Sequence, residues 1–71
     1  MKYDVVLTTF GKEKIKVIKA VRELTGHGLA ESMVLVEGVP SMLKASVAKE
    51  EAESINATLT NAGATVAISK V

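Results

Sequence analysis

Cysteine and tryptophan are absent from this 71-residue chain, which holds one proline, one tyrosine and one phenylalanine. The missing cysteine excludes a disulfide framework and any thiolate-ligated metal centre. Packing alone must therefore hold a chain near the lower size limit for independent folding, where roughly 60% of the unfolded surface is buried. With Tyr3 and Phe10 as the only aromatics, the core has to be aliphatic, built from Ala, Val, Leu and Ile. A core this small leaves no room for a large active-site cavity. Long apolar runs are missing too. The longest, Met33 to Val36, falls far short of the ~20 residues a membrane span needs. Met1-Lys2-Tyr3-Asp4 does not open a signal peptide. The cytoplasm is the expected compartment, and the lack of cysteine is compatible with it.

Charge is nearly balanced overall, with 9 Lys+Arg against 8 Asp+Glu, but it is not evenly spread. Lys12, Lys14, Lys16, Lys19 and Arg22 are opposed within residues 12–22 by Glu13 alone, a local excess of +4 that leaves −3 on the remainder. Such an asymmetry points to a surface that attracts an acidic partner, or to a helix face kept soluble by its charge.

The apolar pattern divides the chain into six elements. Tyr3 to Thr8 is β-branched and aromatic and stops near Gly11, as a strand does. Lys12 to Leu24 is predicted to be a helix, with Val17, Ala20, Val21 and Leu24 on its inner face and Thr25-Gly26 ending it. After the short corner Gly26-His27-Gly28, a second helix runs from Leu29 to Glu37 until Gly38 and Pro40. Met42 to Val47 reads as a short strand. Lys49 to Ala62 returns to helical spacing through Ala52, Ile55, Leu59 and Ala62, and Gly63 closes it. Val66 and Ile68, alternating with Thr65, Ala67 and Ser69, form a last strand with one buried face. The order β-α-α-β-α-β predicts an α+β two-layer sandwich, a three-stranded antiparallel sheet covered on one face by three helices. Residues 1–71 read as one domain without linker, repeat or low-complexity segment.

The first helix carries a pattern that burial does not account for. At about 100° per residue, Ile15 falls opposite the inner stripe and Ile18 at its margin. Lys19 and Arg22 flank Ile15 at spacings of four and seven, so the four are expected to share one outward surface. Packing of Ile15 against a neighbouring loop is one explanation. A protein-binding patch with an apolar centre and a basic rim is the other.

Other candidate chemistry gives way to plainer roles. Gly26-x-Gly28-x-x-Glu31 lacks the preceding strand and third glycine of a dinucleotide site, so no cofactor is expected. Instead, Gly26 is expected to adopt a left-handed conformation and Gly28 to let the next helix approach closely. His27 has no second histidine or nucleophile to serve and reads as a solvated corner residue. Glu50, Glu51 and Glu53 open the third helix, where carboxylates favour the positive end of the dipole. No catalytic or metal-binding set emerges. Five cations on one short helix could contact phosphates, yet the near-neutral total charge, the lack of stacking aromatics and the absence of a recognisable RNA-binding motif argue against direct nucleic-acid binding.

Val17-Ile18-Lys19-Ala20-Val21-Arg22, followed by Thr25-Gly26-His27-Gly28-Leu29 and by Ala62-Gly63-Ala64, closely resembles the C-terminal domain of the bacterial large-subunit ribosomal stalk protein. The resemblance runs from Tyr3-Asp4-Val5 to the last strand. It implies a non-enzymatic domain, mobile on the ribosome, that recruits translational GTPases such as elongation factors Tu and G, with initiation and release factors. By position it implies contacts from Lys14, Ile15, Ile18, Lys19 and Arg22, with Met33 at a second-helix contact position. The family usually presents lysines where this chain has Ala30 and Met33, and tends to be acidic where it has Val34. These substitutions make part of the basic surface apolar and suggest either local repacking, self-association or an altered partner. The family's N-terminal dimerisation domain and Ala/Gly-rich hinge have no counterpart in these residues. An excised domain and a separately encoded stand-alone form, for instance a viral one, are both compatible with that. The fold also resembles that of Clp protease adaptors, with a poorer sequence match.

Overall fold

A computed structural model describes all 71 residues. The elements follow the predicted order: β1 (Tyr3–Thr9), α1 (Lys14–Thr25), α2 (Leu29–Glu37), β2 (Ser41–Val47), α3 (Lys49–Asn61) and β3 (Thr65–Lys70). The fold is α+β, with all three strands antiparallel in the order β2-β1-β3. Helix α1 starts two residues later than its periodicity suggests, because Gly11 at φ 66° and Lys12 form a turn first. No helix is long and apolar enough to cross a membrane.

Alternation along β1 decides which face the helices cover. Val5 and Leu7 are fully buried, and they stand directly opposite Ile68 and Val66 of β3. The intervening residues, Val6 opposite Ala67 on one side and Met42 on the other, belong to the uncovered face. Helices α1 and α2 pack on each other and over β2, while α3 lies over β1 and β3. Between the layers Val5, Leu7, Val17, Ile18, Val21, Val36, Leu43, Val47, Ala52, Ile55, Leu59 and Ala64 make one aliphatic core. Tyr3 and Phe10 pack only at its margin, as a core with so few aromatics requires.

β2 is the irregular strand. Its register with β1 slips twice, and Ser46 sits at φ 55°, a left-handed conformation that costs an L-residue roughly 1–2 kcal/mol. Its N–H, turned out of the ladder, is recovered by a 3.0 Å bond to Asp4 Oδ1. This accounts for the weak strand signal of 42–47, since bulges break the alternation that sequence patterns rely on.

Glycines set the corners, in ways the sequence discloses only partly. Gly26 takes φ 75° and donates its N–H to the Arg22 carbonyl at 3.0 Å, which is the left-handed cap expected there. Gly28 corrects the expectation placed on it. No atom comes within 4 Å of where its Cβ would be, so it permits no close helix approach. It is the extended N-cap of α2, and its carbonyl accepts both the backbone N–H and the hydroxyl of Ser32. The close approach lies elsewhere. Gly63, at φ 96°, follows α3, and a Cβ on Gly11 would collide with its carbonyl oxygen. Gly11→Ala is therefore expected to cost more than about 2 kcal/mol, from strain and overlap together. Gly26→Ala, with strain but open space, should cost about 1 kcal/mol. Denaturant unfolding of both variants checks the order, and equal losses would refute the Gly11–Gly63 contact.

Candidate partner-binding site

Helix α1 is held by two of its flanks. Val17 and Val21 are fully buried beneath it, and the α2 side is marked by an ion pair between Lys14 Nζ and Glu37 Oε2 at 2.6 Å. The hairpin through Gly26–Gly28 makes α1 and α2 antiparallel, so the start of α1 meets the end of α2. Lys14 also lies 5.7 Å from the centre of the Phe10 ring, close enough for a cation–π contact. It is thus engaged within the fold at the edge of the site.

Ile18, one turn after Lys14 on the same flank, is only 4% exposed. This overturns its expected place on the outward surface. Ile18 does lie at the margin of the stripe, but the second helix widens the buried arc of α1 and takes it into the seam. Ile15, three residues earlier, is 71% exposed.

What remains outward is compact. Lys19 and Arg22, four and seven residues after Ile15, are exposed and neither has a carboxylate within ion-pairing distance. With Glu23 they line a shallow open hollow. Lys16 is drawn aside by Glu13 at 3.7 Å. An exposed isoleucine beside two unpaired cations is therefore present on a helix whose other faces are fixed by packing.

Met33 borders the same region. Leu29, Met33 and Glu37 recur every four residues along one stripe of α2, and since Glu37 meets Lys14, that stripe flanks the α1–α2 seam. Antiparallel packing sets Met33 level with Ile18, on the far side of the seam from Ile15. It is 39% exposed. Ala30 and Val34 lie further round, Val34 at 70% exposure. Ala30, Met33 and Val34 are thus surface residues of α2 and lie outside the core.

The corner histidine is exposed as expected, with Nδ1 3.0 Å from Glu31 Oε2. Glu50 and Glu51 stand in the first turn of α3, where the helix dipole accounts for them.

Residues 3–69 match the family described as Ribosomal protein L7/L12 C-terminal domain. Among curated relatives, the large ribosomal subunit protein bL12 of Desulforamulus reducens is 61% identical over 64 residues, covering 90% of this chain and 52% of the relative. That of Clostridium perfringens is also 61% identical over 64 residues, covering 90% and 53%. The bL12 of Alkalilimnicola ehrlichii is 54% identical over 66 residues, covering 93% and 53%. The chain spans about half the length of the curated relatives it matches.

The two isoleucines should separate in a stability measurement. Ile18→Ala is expected to lose about 2–5 kcal/mol by emptying a buried site, whereas Ile15→Ala should stay within about 0.5 kcal/mol of the parent. Comparable losses in urea unfolding would place Ile15 in the core and remove it from the site.

Proposed function

Because the chain belongs to the ribosomal protein L7/L12 C-terminal domain family, which is not a family of enzymes, we propose that it acts by binding and recruits translational GTPases to the ribosome. Elongation factors Tu and G are the first candidates, with initiation and release factors as further members of the same class. The observation that carries this reading is the outward face of α1, where Ile15 is 71% exposed beside Lys19 and Arg22, both without ion-pair partners.

The physics of the patch suits capture and release. Lys19 and Arg22 attract an acidic surface and raise the association rate in a salt-dependent way. Ile15 then supplies the short-range apolar contact. Since α1 is fixed by Val17, Ile18 and Val21 beneath it, little backbone order is lost on binding. Ile18 contributes by holding the helix in place, and Lys14 by tying the start of α1 to the end of α2. Met33 extends the contact across the seam. A surface of this size makes a small, weak interface, as a domain that must let its partner go requires. Arg22 is given no role as an arginine finger. That would need insertion beside nucleotide phosphates, and stimulation of hydrolysis would follow from recruitment and positioning.

Titration of the 15N-labelled domain with purified elongation factors Tu and G tests the proposal. Shifts are expected around Ile15, Lys19 and Arg22, reaching Met33, and weakening as salt rises. Arg22→Ala and Ile15→Ala should each weaken binding by roughly 5–10-fold, about 1–1.4 kcal/mol, with unchanged melting temperature. A folded sample that shifts with neither factor would overturn the reading.

A further inference from the structure

The two edges of the sheet differ in a way that recruitment by α1 does not explain. β2 is guarded: its register slips twice, Ser46 is left-handed, and Pro40 stands just before it. Bulges and proline of this kind keep an edge from pairing with another strand. β3 carries only one slip against β1, between Leu7 and Thr9, at its own first residue. It pairs residue for residue with β1 from Tyr3↔Lys70 to Leu7↔Val66, contains no proline, and carries its one charge at the end, on Lys70.

Hydrogen-bond parity identifies which groups the open edge presents. Val71 donates its N–H to the Lys2 carbonyl at 2.9 Å. In an antiparallel ladder bonded residues alternate, so Ser69 and Ala67 also face β1. The N–H and C=O groups of Val66 and Ile68 point away from the sheet. Both side chains are only half-buried, although they lie on the helix-covered face.

From this edge we propose that the chain self-associates, two copies pairing antiparallel through β3 about a twofold axis at Ala67 to make one six-stranded sheet. The strand is complementary to itself in that register. Val66 of one copy lies opposite Ile68 of the other, and the parity above makes these the hydrogen-bonded pairs, with four bonds in all. Thr65 lies opposite Ser69 on the uncovered face, a favourable cross-strand pair. Ala67 meets Ala67 at the axis, and Lys70 falls beyond the paired segment, opposite Ala64 of the second copy. A shift of one residue in each strand toward the C-terminus would instead set Lys70 against Val66 on the helix-covered face. The helix layer also has room. Because α3 packs over β1 and β3 alike, its copy across the axis would lie about two strand spacings away, or about 10 Å, which is the ordinary distance between packed helices. The α1–α2 hairpins stay over β2 at the far edges, so the dimer presents two free α1 patches.

Sedimentation equilibrium of the 71-residue chain, with cysteine scanning of β3, decides the matter. The chain has no cysteine of its own, so any crosslink reports the introduced residue. Ala67→Cys should give an interchain disulfide under mild oxidation, since the axial pair is a non-hydrogen-bonded one with Cα atoms about 4.5 Å apart. Ser69→Cys should not, because its two copies would lie about 13 Å apart along the strands. Ala67→Asp, at an exposed position, should weaken the dimer several-fold through like charges across the axis, with the monomer's circular dichroism unchanged. A chain that sediments as a monomer to millimolar concentration, or equal crosslinking at 67 and 69, would overturn the proposal. Factor binding by α1 is measured separately, so the failure of one leaves the other standing.

Discussion

Helix α1 buries two adjacent flanks at once, and the rest of the molecule is arranged around that fact. Val17 and Val21 have no exposed surface and Ile18 has 4%, so three apolar side chains in little more than one turn are removed from water. Each such burial is worth roughly 1.5–3 kcal/mol relative to exposure, a large share of what a chain of 71 residues can muster against its own entropy. The flank under α2 would be open without the Gly26–Gly28 corner that folds α2 back. Removing the second helix would therefore expose Ile18 and loosen the platform on which the outward residues stand.

That arrangement also explains how a chain of nearly zero net charge keeps a basic surface. The acids are spent locally. Glu37 holds Lys14 and Glu13 holds Lys16, while Glu50 and Glu51 sit at the start of α3. Lys19 and Arg22 are left without partners beside Ile15. Surface ion pairs contribute little to stability, so the value of these pairings lies in which cations they leave available. On α2 the positions at which the resemblance implies lysines are Ala30 and Met33, and the surface there turns from charged to apolar across the seam.

The sheet shows the same economy of irregularity. β2 accepts a left-handed serine and two register slips, with Asp4 satisfying the displaced N–H. β3, by contrast, is regular from Val66 to Lys70, its one slip against β1 falling at Thr65. The two edges of one small sheet thus have opposite character, one closed to further pairing and one open to it. The helices divide in parallel, with the α1–α2 hairpin over the guarded edge and α3 beside the open one.

Composition, periodicity and the Gly and Pro breakers were enough to outline the six elements, their order and the α+β class, because most of them bury one face and their apolar spacing records which face that is; the bulged β2 is the exception. Val17 and Val21, Ile55 and Leu59, and Val66 and Ile68 were legible in this way, whereas the unbroken run Val5-Val6-Leu7 marked a strand without showing its face. Ile15 was legible as well, for it stands opposite the stripe. Ile18 was not, since a wheel describes one helix against one surface and α1 meets two. Gly28 and Gly11 mark the same boundary. Both precede a helix, yet only the tertiary structure shows that a Cβ on Gly11 would meet the backbone of Gly63 while one on Gly28 would meet open space. The bulges of β2, the withdrawal of Lys14 and Lys16 into ion pairs, and the open edge of β3 likewise depend on residues far apart in the chain. Local spacing carries the pattern of each element, and the contacts between elements decide which of its residues face a partner.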